Sequence, residues 1–184
     1  MLRRIIVTVT EFCLLAVASV AAAQTPAFER PGLLTSVGQS SDIAIVKVML
    51  NTQLKLGLDY KPLAQPADVA GMKTVVVVVG ASTKGLGAAG LDIAKEMERA
   101  TALVKAAKTA GARILVMHTG GEARRGKTSN DVITLVAPDA DAIVVVAAGN
   151  KDKLFNTLAS KRNVPVIEVE KMAEAGAAVK GMFK

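Results

Sequence analysis

The run TVVVVV, residues 74–79, sets the architecture of this chain, because five consecutive valines follow a threonine without a polar interruption. Such an unbroken β-branched run is typical of a central strand in a parallel sheet, which is covered on both faces. Similar runs occur at 113–119 (RILVMHT) and 142–148 (AIVVVAA). Longer segments with helical patterns separate them, so the sequence predicts βαβ units and a mostly parallel sheet.

Shorter strands are predicted on either side of these runs, at 33–37, 58–61 and 164–169, the last near an edge because Pro165 cannot donate a ladder hydrogen bond. Helices are predicted at 43–57, 91–110, 131–136, 150–163 and 170–184. We expect a single doubly wound α/β domain of five or six strands, flavodoxin-like or Rossmann-like, with helices on both faces. The expected strand order, 2-1-3-4-5, puts the topological switch point between the first and third strands, where ligands bind in open α/β sheets.

The N-terminus has the pattern of a secretory signal peptide over residues 1–23. Arg3 and Arg4 precede an apolar stretch at 5–20, and three alanines at 21–23 supply the small residues of a cleavage site. Glu11 interrupts the apolar stretch, so a retained N-terminal anchor stays open as an alternative. We expect a single domain over 24–184 that is exported to the periplasm or outside the cell, with no stable membrane span after cleavage.

The amino-acid composition restricts the classes of binding partner that we expect. The formal net charge is +7, but the lysines are dispersed, which is typical of a solvated basic surface. Four Phe, one Tyr and no Trp leave few platforms for stacking bases, so no nucleic-acid partner is predicted. The only cysteine, Cys13, lies in the predicted signal, so no disulfide or thiol chemistry is expected in the mature domain.

Three glycine-bearing loops follow predicted strands, at 38–42 (GQSSD), 80–90 (GASTKGLGAAG) and 119–129 (TGGEARRGKTS). A fourth, GNKD, covers 149–152. Glycines allow a close approach of the backbone to a ligand, while hydroxyl and basic side chains bind anions. The candidate ligand-binding residues are Gly38, Ser40, Ser41, Gly80, Ser82, Thr83, Lys84, Gly85, Thr119, Gly120, Gly121, Arg124 and Arg125.

Residues 121–128, GEARRGKT, fit the phosphate-binding pattern G-x-x-x-x-G-K-[ST]. The context does not favour a nucleotide hydrolase, because the following helix is short and ends at Pro138. No buried strand ends in the acid that would hold Mg²⁺. We interpret the loop as a flexible carrier of Arg124 and Arg125, with Ser129 or Asn130 capping the short helix.

Residues 80–90 resemble the glycine turn of short-chain dehydrogenases through Gly80, Gly85 and Gly87. One extra residue separates the first two of these glycines, and the only tyrosine, Tyr60, is not followed by the family's lysine at the fourth position. No acid ends the next strand to hold a ribose. The sequence therefore predicts no nicotinamide cofactor, and no other cofactor is predicted.

His118, the only histidine, ends a predicted strand next to a loop, where a general acid or base could act. Glu122 or Asp92 could orient it. Without a second histidine or a mature cysteine, a zinc site is not predicted. The acids near the strand ends are scattered, so a magnesium site is not predicted either.

The segments at 33–42, 59–87, 118–126 and 149–152 resemble an exported bacterial family of small α/β domains of unknown function. The resemblance implies export and an α/β fold, and it implies no activity. Our principal hypothesis is a domain that binds a small anionic ligand, carboxylate or phosphate, at the carboxyl ends of the strands. The alternatives are an enzyme acting on an anionic substrate with His118 as acid/base, and an interaction protein for an acidic partner or anionic surface.

Overall fold

The computed structural model describes residues 26–184, so the predicted signal peptide and Cys13 lie outside the described residues. Within them, one six-stranded sheet has the order β2-β1-β3-β4-β5-β6, and every neighbouring pair is parallel. The strands are β1 (Gly32–Val37), β2 (Asp59–Tyr60), β3 (Thr74–Val79), β4 (Arg113–His118), β5 (Ala142–Val146) and β6 (Val166–Val169). The helices are α1 (Asp42–Lys47), α2 (Thr83–Ala88), α3 (Ile93–Thr109), α4 (Lys127–Val136), α5 (Leu154–Ser160) and α6 (Met172–Lys180).

The strand order confirms the predicted flavodoxin-like topology. The sixth predicted strand, β6, lies at the edge of the sheet beside β5, as the proline directly before it indicated. The valine run forms β3 without a shift in its ends, and all six of its residues are buried. β1 pairs with β3 along its whole length, from Gly32 opposite Thr74 to Val37 opposite Val79. The two strands therefore end together, and the switch point lies between their carboxyl ends.

Each face of the sheet carries its own core. On one face, Val75, Val77 and Val79 belong to a buried cluster with residues of α3, α4 and α5, among them Leu103 and Phe155. On the other face, Val76 and Val78 share a cluster with α1 and α6. Because successive strand residues point to opposite faces, one valine run supplies both cores.

Several predicted helix boundaries are wrong. The helix expected over 43–57 is α1 continued by a π-helical segment, Val48–Gln53. Within this segment, the Asn51 side chain exchanges two 2.8 Å hydrogen bonds with the backbone of Leu58. α2 forms inside a segment predicted as a loop, because the Ser82 hydroxyl accepts from Gly85 N and caps it. The C-terminal helices α5 and α6 are shorter than predicted.

The expected cap of the fourth helix is also wrong. α4 begins at Lys127, and its N-cap is Gly126, with φ +135°. Ser129 lies inside the first turn, where its hydroxyl accepts a 3.0 Å hydrogen bond from Ala81 N. Glycine readily adopts this positive φ, so the helix begins directly after Gly126. A cap at Ser129 would have started the helix later in the chain. Across residues 26–184, none of the helices is long and apolar enough to cross a bilayer.

Candidate functional site

A cleft of about 700 Å³ lies at the switch point, beyond the carboxyl ends of β1 and β3. We call it the switch-point cleft. Its walls come from the loop after β1, the start of α1, the edge strand β2 with Pro62 after it, α2 with its N-cap, and the loop after β4. The lining residues are Gln39, Ser40, Ser41, Ile43, Ala44, Tyr60, Pro62, Ser82, Lys84, Gly85, Ala88 and Arg124.

The two loops that flank the cleft are joined by their backbones. Ser40 N donates to Gly80 O at 3.1 Å, and Ser82 N donates to Gly38 O at 2.8 Å. Gly38 has φ +94°, and a Cβ there would lie 2.5 Å from Gly80 O. Gly38 thus allows the two loops to approach each other, which fixes the floor of the cleft.

Gly85 serves the same close approach from inside α2. A Cβ at this position would overlap the carbonyl oxygen of Gln39. The helix α2 can therefore pack on the loop after β1, residues 38–42 and called the first loop below, only if position 85 has no side chain. Gly87 in the same helix faces open space. The glycines that resembled a dinucleotide turn therefore differ in role, and Gly85 is a packing residue.

Arg124 reaches the cleft from the short 3₁₀ turn after β4, Gly121–Arg124. Its Nε lies 3.4 Å from the carboxylate of Asp42, and its Nη2 donates to Ser41 Oγ at 3.0 Å. Gly120 makes room for the arginine, because a Cβ there would overlap both the Arg124 side chain and the Asp42 carboxylate. These contacts hold the guanidinium at the cleft wall.

Lys84 is the second cation of the cleft. It is exposed in the first turn of α2, and its ammonium makes no ion pair or hydrogen bond within residues 26–184. The lining set contains neither Asp nor Glu. Two described carboxylates bond lining side chains, because Asp42 accepts from Arg124 and Glu96 accepts from Gln39. The cleft therefore presents two cations and the residues Ser41 and Ser82 to solvent, whereas Ser40 in its lining is buried.

A buried ion pair between Glu96 and Arg99 of α3 holds the first loop in place. Glu96 of α3 is fully buried and accepts from Gly38 N at 2.7 Å, from Gln39 Nε2 at 3.0 Å and from Arg99 Nε at 2.8 Å. Burial by itself would raise the pKa of Glu96, but the hydrogen bonds from Arg99, Gly38 and Gln39 hold that pKa below its usual value.

Arg99 completes this network with two backbone contacts. Its guanidinium donates to Ala64 O at 2.7 Å and to Ser36 O at 2.6 Å. Sequence reasoning missed the pair, because Glu and Arg three positions apart look like an exposed helical ion pair. Only the packing of α3 against the first loop reveals its burial.

Arg125 points away from the cleft, although it is adjacent to Arg124 in the sequence. Its Nη2 donates to Asp152 at 2.8 Å, its Nε donates to Asn130 at 2.8 Å, and its Nη1 bonds Gly149 O. This arrangement ties the loop after β4 to the loop after β5. The Arg125 guanidinium thus connects two loops and does not line the switch-point cleft.

His118 is fully buried at the end of β4. Nδ1 lies 2.9 Å from Val79 O and Nε2 lies 3.2 Å from Gly121 O, and the ring packs on Phe155 with centroids 5.3 Å apart. Burial is the main cause that lowers the pKa of His118 below its usual value, although the two carbonyls oppose it. A molecule in the cleft would not reach this ring without movement of the loops.

The structure therefore separates the thirteen predicted ligand residues. Six of them line the switch-point cleft: Ser40, Ser41, Ser82, Lys84, Gly85 and Arg124. Those that do not are Gly38, Gly80, Thr83, Thr119, Gly120, Gly121 and Arg125. Thr119 is nearly buried, and its hydroxyl has no hydrogen-bond partner among residues 26–184.

Half of the lining was not predicted, and most of it is apolar. Tyr60 and Pro62 arrive from the edge of the sheet, where β2 lies beside β1. The predicted strand order could have suggested Tyr60, because it placed this strand next to the switch point. Within residues 26–184, no three His, Cys, Asp or Glu side chains gather as they would around a metal ion.

Residues 29–183 match the model of the family described as Domain of unknown function (DUF6305). The chain belongs to this family. The match covers every strand and helix named above, so the DUF6305 domain is the whole α/β unit. No curated protein has detectable sequence similarity to the chain.

Proposed function

We propose that this DUF6305 domain binds a small anionic ligand, a carboxylate or a phosphate, in the switch-point cleft. The observation that carries the proposal is the convergence of Lys84 and Arg124 on a cleft whose lining residues include no acid. The position supports it as well, because open α/β sheets bind ligands beyond the carboxyl ends of the strands at the switch point.

The geometry of Arg124 suits this role. Asp42 and Ser41 engage Nε and Nη2, so the guanidinium is oriented before a ligand arrives. Its Nη1 makes no hydrogen bond within the described part of the chain and is free to donate to an anion. Lys84 contributes a point charge on a flexible stem, and the serine hydroxyls can donate to the same oxygens.

The test is thermal melting of the purified protein against inorganic phosphate, sulfate, monocarboxylates, di- and tricarboxylates and nucleotides. A ligand at about 100 times its Kd raises the free energy of unfolding by about 2.7 kcal/mol, which is readily seen as a rise in Tm. We expect Arg124→Gln and Lys84→Gln to remove or sharply reduce the shift that the wild-type protein shows.

Lys73→Gln is the matched control. It removes the same charge from an exposed lysine directly before β3, at the opposite end of the strand from the cleft. A six-residue strand is roughly 20 Å long, so this change is screened from the cleft at ordinary salt. Equal losses in Lys73→Gln and Lys84→Gln, or no anion-dependent shift in the wild-type protein, would refute the proposal.

We also propose that the domain acts outside the cytoplasm, because residues 1–23 have the pattern of a secretory signal. N-terminal sequencing of the protein isolated from its host tests this. Cleavage after the alanines at 21–23 is expected, and a retained Met1 would contradict it.

A further inference from the structure

We infer that the ligand is an organic monoanion with an apolar body, such as an aliphatic or aromatic carboxylate. This inference rests on the proposed anion-binding function and names the class of anion. The lining of the switch-point cleft combines two cations with a set of apolar residues, and only one of these cations lacks an acidic partner among the described residues.

The lining has a polar side and an apolar side, named here by their residues, and α2 contributes to both. Lys84, Arg124 and the serines at 40, 41 and 82 form the polar side. The apolar side is Ile43, Ala44, Tyr60, Pro62 and Ala88. A ligand that fills both sides needs a charged head and a hydrophobic body, because buried apolar surface contributes to binding only when it meets apolar atoms.

The charge of the cleft favours a single negative charge on the ligand. Asp42 lies 3.4 Å from the Arg124 guanidinium and is itself nearly buried, so it offsets one of the two cations. Of the two cations in the lining, only Lys84 has no acidic partner among the described residues. A triphosphate or a tricarboxylate would bring charge that the lining residues do not balance, and its desolvation would go uncompensated.

The size of the cleft favours an organic molecule over an inorganic ion. Its volume of about 700 Å³ lies within the range of pockets for small organic ligands, roughly 300–1,000 Å³. An inorganic phosphate held by Lys84 and Arg124 would leave the apolar side in contact with water. It would gain nothing from Tyr60, the only aromatic residue in the lining.

Tyr60 is held in place by two neighbours. The backbone of β2 pairs Tyr60 with Leu34 of β1, and Lys47 Nζ lies 4.8 Å from the ring centroid. The cation over the ring and the strand pairing together restrain the side chain. The ring of Tyr60 therefore offers a restrained, flat apolar surface within the lining of the cleft.

Isothermal titration of the purified protein with acetate, butanoate, hexanoate and phenylacetate tests the inference. Each methylene that enters the cleft is expected to tighten Kd about fourfold until the apolar side is filled. Hexanamide, which keeps the body and loses the charge, is expected not to bind. Inorganic phosphate, adipate and ATP are expected to bind more weakly than hexanoate.

Ala44→Asn makes the apolar side polar without threatening the fold, because Ala44 is exposed in α1. We expect it to abolish the gain from acetate to hexanoate. Ala177→Asn is the matched control, an exposed alanine within α6 and outside the lining, and it should keep the wild-type gain.

The possible results separate this inference from the proposed function. If phosphate or acetate binds as tightly as hexanoate and Arg124→Gln abolishes that binding, anion binding stands and the inference is wrong. If hexanamide binds as tightly as hexanoate, the ligand need not be an anion and the proposed function is wrong. If none of these probes binds, both are wrong.

Discussion

At the scale of single residues, His118 illustrates how the environment assigns a role. Its position at the end of a strand suggested an acid or base, but both ring nitrogens face backbone carbonyls, those of Val79 and Gly121. A neutral imidazole has one N–H and can donate to only one of them at a time. The ring thus joins the ends of β3 and β4 to the loop that carries Arg124.

This environment predicts how His118 titrates. Because burial disfavours the imidazolium, we expect its pKa to lie below the ordinary 6.5. The unfolded chain then binds the proton more readily, so the free energy of unfolding should decrease as pH falls below 6.5. Since the chain has one histidine, its NMR resonance in untagged protein reports the pKa directly. A titration midpoint at or above 6.5 would contradict the prediction.

At the scale of elements, α2 decides the shape of the cleft. This short helix occupies a segment whose glycines predicted a loop, and it packs on the first loop through Gly85. Glycine is unfavourable in a helix interior, and at position 85 a steric requirement accounts for it. The requirement is the carbonyl of Gln39, which leaves no room for a Cβ.

Two substitutions in this helix separate the steric effect from helix propensity. We expect Gly85→Ala to lower the free energy of unfolding by about 1–3 kcal/mol, because the overlap with Gln39 O forces the backbones apart. Gly87→Ala, which meets open space, should raise it by about 0.5–1 kcal/mol. Urea unfolding measures both, and equal effects of the two substitutions would refute the steric explanation.

At the scale of the whole molecule, the Glu96–Arg99 pair connects parts that are distant in sequence. It joins α3 to the loop after β1 through Gly38 and to the connection after β2 through Ala64 O. The switch-point cleft opens above these contacts. A buried pair of this kind adds little net stability when it is intact, but the loss of one partner leaves an uncompensated buried charge.

Glu96→Gln should therefore lower the free energy of unfolding by about 3–5 kcal/mol at pH 7. In the wild-type protein the pKa of Glu96 is lowered, so its contribution is present above the ordinary value of 4.5 and is lost as pH falls through the folded-state pKa. The variant should show less loss of stability on acidification below pH 4.5. Urea unfolding from pH 3 to pH 7 measures both effects.

Glu98→Gln is the control for this prediction, because Glu98 is exposed on the same helix two positions away. It should leave the free energy of unfolding within about 0.5 kcal/mol of the wild type. If Glu96→Gln destabilises no more than Glu98→Gln, the pair does not hold the cleft together.

The sequence by itself determined the parallel sheet, its strand order and the place of the switch point. The unbroken valine run of β3 indicates a strand that is buried on both faces, because local hydrophobicity determines burial. The alternation of strands and helices along the chain then restricts the possible strand orders. Three serines, Lys84 and Arg124 were named for the same reason, since the carboxyl ends of parallel strands share one edge.

Only the tertiary structure decided which neighbours face the cleft. Arg124 and Arg125 are adjacent and chemically identical, yet one bonds Asp42, 82 positions away, and the other bonds Asp152, 27 positions away. Glu96 accepts a hydrogen bond from Gly38 N, 58 positions away, and the carbonyl of Gln39 leaves no room for a Cβ at Gly85. The direction of a loop side chain depends on partners that are distant in sequence and that folding brings close. The local sequence therefore cannot predict this direction.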